Sequence, residues 1–451
     1  MNHKTIAVAV SCLMAASAAS AQGLSLKECM QYALDNSAKL KVQAADVDDA
    51  AIARRDAVLS VFTPSISAGT YAYSNFGRSV DPQTNTYVST TSFNNGYSVS
   101  GSIVLFNGFE AVNNMKIAKT SLLMGMEGDR QLREEICLAT IEAFCNVVYY
   151  KSLAEIVQEQ VTTVGDALGL VRRQEELGQK GYADVVQIEA DLADIEYQLI
   201  TAQNNYASAL LTLKDIMFWD PEEPLEIDSS DITEYEGVLV PEGSAEEVAS
   251  VADYAVTYLP KTIIAKDKML NAALELKTAK WKFTPYLSLG GGWSTSYYTY
   301  PGSDIHVTDP FRSQFVNNGG EYIQLTLSFP IYDRLTKYSN LSRKRNAYRK
   351  ASAEYDSAVR EVRAEVERAV QDMEGSRSAL NQADRRALAQ EASWNMNRKK
   401  FEQGLLSPVD YRKASDNLLS AKAERLGALL KWRLKSSVVK YYNGVSYIDQ
   451  Y

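Results

Sequence analysis

The two halves of this sequence carry the same motifs in the same order, so the chain has to fold as one structural unit built twice. The segment VFTPSISAG at Val61–Gly69 matches KFTPYLSLG at Lys282–Gly290. The segment LFNGFE at Leu105–Glu110 corresponds to IYDRLT at Ile331–Thr336. The two motifs lie slightly farther apart in the second copy, which indicates an insertion or deletion between them and is typical of a loop.

Each copy of the unit contains a proline-free stretch that predicts an exceptionally long helix. The stretches run from Gly108 to Gly178 and from Arg334 to Gly404, and they have the same length. A helix of about 70 residues is about 100 Å long, whereas the average helix of a globular protein has about 11 residues. An ordinary compact domain has no room for two such helices.

The residues that follow the first long stretch carry a coiled-coil pattern. Apolar residues between Val185 and Ile216 recur at alternating spacings of three and four, and Val359–Met373 repeats the pattern in the second copy. Sustained heptads of this kind indicate coiled-coil packing. A purely fibrous coiled coil explains these helices, but it does not explain the strands described next.

Four segments predict β-strands. Apolar residues alternate with polar ones in Tyr97–Phe106, Leu287–Tyr297 and Glu321–Ile331, whereas Ile66–Tyr73 is the weakest strand and has apolar residues on both faces. One apolar face and one small, polar face are typical of the strands of outer-membrane barrels. A soluble sheet packed on a helix gives the same alternation and is the alternative. Two polar loops of about twenty residues, Asn75–Gly96 and Thr299–Gly320, favour the barrel, because the loops on its outer surface are long.

Two short segments, ELGQKGYADV and FEQGLLSPVD, predict sharp turns between long helices. A glycine with positive φ commonly ends a helix, Asp184 or Ser407 can cap the next helix, and Pro408 fits its first turn. We therefore predict two helical hairpin tips, at the end of the molecule farthest from the strands. The predicted tip residues are Gly178, Gly181, Gly404, Ser407 and Pro408. A kink within one straight helix is the alternative.

Residues 1–21 predict a secretory signal peptide. An apolar stretch follows Lys4 and ends at Ala19-Ser20-Ala21, a small-x-small cleavage site. Lipid modification of Cys12 is the alternative fate of this region. No later window reaches the roughly 18 consecutive apolar residues that a membrane-spanning helix needs. We therefore expect an exported chain that begins at Gln22.

The composition disfavours nucleic-acid binding and enzyme chemistry. Without Lys4 the mature chain has 46 basic and 56 acidic residues, and this acidic balance argues against nucleic acid as a partner. It has one histidine, His306, so we expect no metal site, no Ser-His-Asp site and no cofactor. Cys137 and Cys145 are eight residues apart on a predicted helix, about 12 Å along its axis, which is too far for a disulfide.

Taken together, these features resemble the TolC-like outer-membrane efflux proteins, over essentially the whole mature chain. The resemblance rests on FTP leading into a strand, on LFNGF leading into a long helix and on FEQGLLSPVDYRKA at the second tip. The order of these motifs and their duplicated spacing carry it, rather than any single motif. The chain looks like the version found in Bacteroides-type Gram-negative bacteria.

The resemblance implies an α+β membrane protein with four transmembrane β-strands per chain. Four strands cannot close a barrel; in the family three chains share a twelve-stranded barrel, and their helices form a long coiled-coil tube in the periplasm. The expected protein is a homotrimeric, passive duct in the outer membrane of a Gram-negative bacterium. Its tips would meet a periplasmic adaptor (membrane fusion) protein, which links it to an inner-membrane pump of the RND, ABC or MFS type or to type I secretion. A porin-like channel and a periplasmic coiled-coil scaffold are the alternatives.

Family members carry acidic residues near the second tip, where three copies form a constriction. Asp410 matches that position, and Asp184 holds the equivalent place in the first copy. The sequence departs from some members at Lys413, where they have an aspartate. Helix capping is the alternative role for both aspartates.

A basic cluster follows the last strand, and its central members are Arg343, Lys344 and Arg345. We expect it to face anionic headgroups of the inner leaflet, and a solvated helix face is the alternative.

The predicted boundaries divide the chain into five segments. These are residues 1–21, the signal peptide; 22–219, the first repeat; 220–244, an inter-repeat segment; 245–442, the second repeat; and 443–451, the C-terminal tail. The resemblance implies that the inter-repeat segment and the C-terminal stretch form a belt around the helical tube.

Overall fold

The structure is a computed structural model that describes residues 23–81, 84–233, 245–303 and 307–451. The predicted signal peptide, Cys12 and His306 lie outside the described residues, as do residues 234–244 of the inter-repeat segment.

The same order of elements appears twice along the chain. The first half contains α1 Leu26–Asn36, α2 Ala38–Phe62, β1 Ser65–Asn75, β2 Arg78–Val80, β3 Tyr87–Ser89, β4 Ser92–Phe106, α3 Glu110–Glu176, α4 Tyr182–Met217 and α5 Ser230–Thr233. The second half contains α6 Ala245–Tyr258, α7 Pro260–Trp281, β5 Tyr286–Thr299, α8 Phe311–Asn317, β6 Gly320–Ser328, α9 Thr336–Glu402, α10 Pro408–Tyr442 and a 3₁₀ turn at Tyr447–Gln450. The two long helices, α3 and α9, have 67 residues each, as predicted.

The chain divides into two compact units. The strand unit comprises Ala45–Met126 and Ile264–Tyr355. The helical unit comprises the described parts of Met1–Ala44, Glu127–Ile263 and Asp356–Tyr451.

The strand unit contains one antiparallel sheet with the strand order β1-β4-β5-β6. Its register pairs Ala68 of β1 with Val99 of β4, Val99 with Trp293 of β5, and Leu289 of β5 with Leu325 of β6. Each half of the chain therefore supplies one hairpin, and the two hairpins join along β4 and β5. A sheet of four strands among the described residues, together with two 67-residue helices, argues against a porin-like channel, which needs many more strands in one sheet and no long helices.

The register separates the sheet into an apolar face and a polar face, because directly paired residues point the same way. The apolar face carries Ile66, Val99, Ile103, Leu289, Ile323, Leu325 and Leu327. The other face is mostly polar and also holds three tyrosines; it carries Ser67, Tyr71, Tyr73, Ser98, Ser100, Ser288, Ser294, Tyr322, Gln324 and Thr326. Ile323 is 88% exposed and Ile66 is 74% exposed in the single chain, so the apolar face is open over much of its area.

The prediction of two plain polar loops was wrong in detail. Strand β4 begins at Ser92 rather than Tyr97, because the polar segment SFNNG pairs with β1 although it lacks the alternating pattern. The first loop also contains the ribbon of β2 and β3, and the second loop contains helix α8. The β2–β3 ribbon and α8 are held by contacts that cannot be predicted from the alternation of apolar residues.

The helical unit has a coiled-coil core in which about half of the predicted heptad positions of α4 are buried and the others are partly buried. Val185, Ile188, Ile195, Ala202 and Leu213 of α4 are at most 5% exposed. Val362 and Val366 of α9 are fully buried. Cys29, Cys137 and Cys145 are free thiols in one buried cluster. Burial raises the pKa of each of these thiols to about 12.

The C-terminal segment is packed onto the helical unit rather than trailing from it. The carboxylate of Glu134 accepts hydrogen bonds from the Ser446 hydroxyl at 2.7 Å and from the Tyr447 N–H at 3.1 Å. Tyr447 is 3% exposed, and Lys27 donates to the backbone oxygen of Tyr451 at 2.8 Å. These contacts join the last residues of the chain to α3 and to the first helix, α1.

Candidate functional site

Helix α3 ends in a tight turn at Gly178, which has φ +71°. The N–H of Gly178 donates to the Glu175 carbonyl and that of Gln179 donates to the Gln174 carbonyl, both at 2.8 Å. This is a Schellman arrangement, which satisfies carbonyl groups that the helix end leaves open. The first interruption is therefore a turn between α3 and α4, as predicted, and not a kink.

Helix α9 ends in the same way at Gly404, which has φ +74°. The N–H groups of Gly404 and Leu405 donate to the Phe401 and Lys400 carbonyls at 2.9 and 2.8 Å. The next helix, α10, begins with Pro408 in its first turn. The two copies thus form their hairpin turns by the same hydrogen bonds.

The two turns differ at the start of the following helix. Ser407 caps α10, because its Oγ accepts a hydrogen bond from the Asp410 N–H at 3.1 Å. The expectation that Asp184 caps α4 was wrong: Gly181 occupies the cap position, and its N–H donates to the Asp184 carboxylate at 3.3 Å. The Asp410 carboxylate accepts a hydrogen bond from the Ser407 hydroxyl at 2.7 Å. Both aspartates thus lie in the first helical turn, where the helix dipole favours negative charge.

A charged cluster that the sequence motifs did not indicate lies between α4 and α10. The guanidinium of Arg412 contacts the carboxylates of Asp191 and Asp194, and the Asp194 contact is 2.8 Å long. Asp416, one turn further along α10, lies 3.6 Å from the Arg412 Nε. Asp191 is 3% exposed, and Gln187 also donates to it at 3.0 Å. The cluster joins the second helix of one hairpin to the second helix of the other.

Burial and neighbouring charges have opposite effects on the pKa values of Arg412 and Asp416. Burial lowers the pKa of Arg412, but the hydrogen bonds and charges of its aspartate partners outweigh that effect and raise it. Burial raises the pKa of Asp416, and the nearby Arg412 only partly offsets the rise. One cation among three carboxylates leaves this site with an excess of negative charge.

Aromatic side chains form the core of the second hairpin. The rings of Phe401 and Tyr411 stack at 4.1 Å across the turn, and Trp394 lies 4.9 Å from Tyr411. All three are at most 8% exposed, and burial raises the pKa of Tyr411 to about 12. The signal for this core was in the sequence, because Phe401 and Tyr411 flank the predicted turn on the two helices.

Large apolar residues at both turns are exposed to solvent. Leu177 and Tyr182 flank the first turn and are each 72% exposed. In the second turn the exposed apolar residues are Leu405, directly after Gly404, and Val409, the second residue of α10, at 73% and 61%. Together these four residues form the tip surface. Grouped exposed apolar residues commonly mark a binding surface.

The structure divides the basic cluster of the strand unit. Lys344 donates a hydrogen bond to the Glu275 carboxylate at 2.6 Å, so its charge is paired within the chain. Arg343 and Arg345 are exposed.

The described part of the chain contains no group of His, Cys, Asp and Glu residues that could hold a metal ion. None of the helices in those same residues has the length and apolar character to cross a membrane.

Comparisons with known proteins give one family and a consistent fold. The family model described as "Outer membrane efflux protein" matches residues 29–217 and 276–437. CusC shares 16% sequence identity, with a TM-score of 0.77 over 93% of this chain and 92% of that chain. The outer membrane protein VceC of Vibrio cholerae shares 14% sequence identity, with a TM-score of 0.74 over 94% of this chain and 96% of that chain. The CmeC outer membrane channel of Campylobacter jejuni shares 15% sequence identity, with a TM-score of 0.75 over 94% of this chain and 85% of that chain. No curated protein sequence matches the chain.

Proposed function

We propose a working mechanism from the premise that this chain belongs to the outer membrane efflux protein family. It is an efflux duct of the outer membrane that extends into the periplasm. Its assembly, its docking and its gate are inferred from the geometry of the single chain. We infer in addition that it is the Bacteroides-type version of the family, as its motifs suggest.

The four-stranded sheet is the observation that carries the assembly proposal. Strands β1 and β6 each have a partner on one side only among the described strands, and closing a barrel takes at least about eight strands. Three chains joined edge to edge supply twelve strands, with the apolar face towards lipid and the polar face towards a water-filled lumen. The protein therefore works as a homotrimer with a shared barrel.

Extraction and cross-linking test this assembly. The protein should leave the outer membrane only in detergent, cross-link as a species of three chains and form conducting channels in planar bilayers. A monomer that stays in solution without detergent contradicts the proposal.

The exposed tip surface supports docking to a periplasmic adaptor protein. Its four apolar side chains, with Gly178, Gly181, Gly404, Ser407 and Pro408 shaping the turns, form a surface that a helical partner can cover. The adaptor connects the duct to an inner-membrane pump of the RND, ABC or MFS type or to a type I secretion system. Substrates then cross the outer membrane passively, without catalysis and without a cofactor.

Charged substitutions at the tips test the docking. Leu177→Asp and Leu405→Asp should abolish cross-linking to the periplasmic adaptor protein while trimers still form. Leu388→Asp is the matched control, since Leu388 is 69% exposed on α9 and lies away from the tip residues in the sequence. Equal loss in all three variants would contradict specific docking.

The Arg412 cluster supports a gate. We assign it the role of holding α4 and α10 together in the closed state, with Asp410 charging the constriction and Asp184 supporting the first turn. Three copies around an axis would place like charges close together, which attracts cations. The departure at Lys413 adds positive charge one helical turn after Asp410.

The exposed members of the basic cluster support a contact with anionic lipid headgroups of the inner leaflet. Arg343→Gln with Arg345→Gln should lower the trimer yield in the outer membrane. The control is Lys344→Gln, which removes the pair with Glu275 instead. An unchanged yield in the double variant overturns this role.

A further inference from the structure

Helix α8, Phe311–Asn317, lies against the apolar face of the sheet. Tyr97 of β4 pairs with Thr295 of β5 and so points the same way as Trp293 and Tyr297. The Phe315 ring lies 5.4 Å from Tyr97 and 5.6 Å from Trp293. A helix that closed the lumen from outside would have to contact the polar face instead.

Polar contacts fix this helix in place. Strand β6 begins at Gly320, opposite Ser294, so the last residues of β5 have no strand partner on that side. The Gln314 side chain takes the place of a strand partner. Its amide oxygen accepts a hydrogen bond from the Tyr298 N–H at 3.1 Å, and its amide nitrogen donates one to the Tyr298 carbonyl at 2.9 Å. Thr295 Oγ1 also donates to the Phe315 carbonyl at 2.8 Å. Gln314 is 3% exposed, so these hydrogen bonds are buried and α8 is packed firmly on the edge of the sheet.

The other side of α8 presents apolar and basic groups to the surroundings. Val316 on that side is 68% exposed. Phe311 belongs to the side that faces the sheet, where its ring lies 5.2 Å from Tyr297, and it is still 47% exposed. Arg312, one helical turn before Val316, is also exposed. An aromatic cluster with an exposed arginine is the combination that suits the boundary between hydrocarbon and headgroups.

We propose that α8 is an interfacial helix that lies in the headgroup region of the outer leaflet and anchors the barrel there. The inference rests on the proposed membrane orientation of the apolar face. That face extends from Leu327 and Ile323, at the level of the hydrocarbon, past Glu321, which pairs with Trp293, to the aromatic cluster at the loop end of the sheet. Transmembrane barrels carry aromatic girdles at this level. In this chain the girdle includes a helix, whose axis can lie along the membrane plane.

Site-specific fluorescence in lipid vesicles tests the proposal. Single cysteines at Val316, Leu325 and Ser100 carry a bimane probe in the full-length protein, since the native thiols at Cys29, Cys137 and Cys145 are buried. The vesicles contain lipids quenched either at the headgroup or deep in the acyl chain. The Val316 probe should be quenched about twofold more by headgroup quenchers, and the Leu325 probe by acyl-chain quenchers. The Ser100 probe should respond only to iodide in the water of the lumen.

Each outcome decides something different. A Val316 probe that ignores both lipid quenchers, while Leu325 responds, overturns the interfacial helix and leaves the barrel intact. A Leu325 probe that ignores acyl-chain quenchers overturns the membrane orientation itself.

A second variant tests the aromatic cluster. Phe315→Ser removes the contacts to Tyr97 and Trp293, and the headgroup quenching at Val316 should fall by about half or more as the helix leaves the interface. Trimer formation serves as the check that the barrel still assembles. Unchanged quenching in an assembled trimer means that the aromatic cluster does not seat the helix, and it overturns that part of the proposal.

Discussion

Arg412 in the second copy of the duplicated unit is paired with the buried carboxylate of Asp191 in the first copy, 221 residues earlier. The contact crosses from α10 to α4 and so ties together the second helices of both hairpins. A buried carboxylate is stable only with such a partner. The pair therefore makes the relative position of the two hairpins depend on a few charged atoms.

Removing Arg412 should both destabilise and open the protein. Arg412→Ala leaves Asp191 buried without its partner, a change that typically costs about 3–5 kcal/mol. Because the guanidinium is about one-third exposed, solvent reduces the expected cost to about 2 kcal/mol. Thermal unfolding and single-channel conductance measure the two effects. The control is Arg386→Ala, whose exposed pair with Glu424 should be worth less than about 1 kcal/mol. Equal losses in the two variants would show that burial of Asp191 is unimportant.

The stability of the helical unit should depend on the ionisation of Asp416. Because burial raises its pKa, the folded chain binds this proton more tightly than the unfolded chain does. The contribution of Asp416 to stability is therefore fully present at low pH and is lost as the pH rises from about 4, when the carboxyl ionises. Asp416→Asn should unfold at a higher temperature than the wild type at pH 7, with the difference vanishing near pH 4.

Asp372 provides a control of opposite sign. The hydrogen bond from Lys435 lowers the pKa of Asp372, so its contribution is present above about pH 4 and is lost as the pH falls. Asp372→Asn should lower the unfolding temperature at pH 7 and not at low pH. If both variants shift in the same direction, the assignment of their pKa values is wrong.

The serine cap should stabilise the second hairpin by a measurable amount. Ser407→Ala removes the hydroxyl that accepts from the Asp410 N–H and should cost about 1 kcal/mol. Ser407→Gly should cost only a few tenths, because glycine is tolerated at a helix cap. Thermal unfolding of the two variants measures the difference. An alanine variant as stable as the glycine variant would contradict the capping role.

Alanine substitutions at Gly404, in the turn after α9, and at Gly375, inside α9, should change the stability of the protein in opposite directions. Gly404 has φ +74°, and alanine in this left-handed conformation costs about 1–2 kcal/mol. Gly375 lies in the helix interior, where a methyl group added to its Cα would meet no atom within 4 Å, so alanine there should stabilise by up to about 1 kcal/mol. Unfolding temperatures should move down for the first variant and up for the second. A stabilising Gly404→Ala would contradict the turn geometry.

The charge of Asp410 should control the response of the channel to cations. Asp410→Asn keeps the size of the side chain near the Ser407 hydroxyl but removes the negative charge, so divalent cations should block the single-channel current less. Asp184→Asn is the matched variant in the first copy and should change the block less. A block that is unaffected by Asp410→Asn would leave this residue with a capping role only.

Much of the local structure could be predicted from the sequence because it depends on neighbouring residues. Proline after Phe62 and Phe283 ends a helix, glycine at 178 and 404 permits a positive φ, and heptad spacing buries one face of α4. These are short-range effects, so both hairpin turns and the limits of both long helices were predicted closely. The error at Asp184 was also local: the helix begins directly after Gly181, earlier than the capping assignment requires.

The duplicated unit, the long helices with their turns and the alternation of most strands could be predicted from the residues alone. Which residues of the two copies meet depends on the folded chain. The pairing of Arg412 with Asp191, the seating of α8 on the apolar face and the exposure of Leu177 and Leu405 all depend on which surfaces come together in space. Periodicity tells which side of an element is apolar, but it does not tell what covers that side. That choice is made by packing and by the need to pair buried charge.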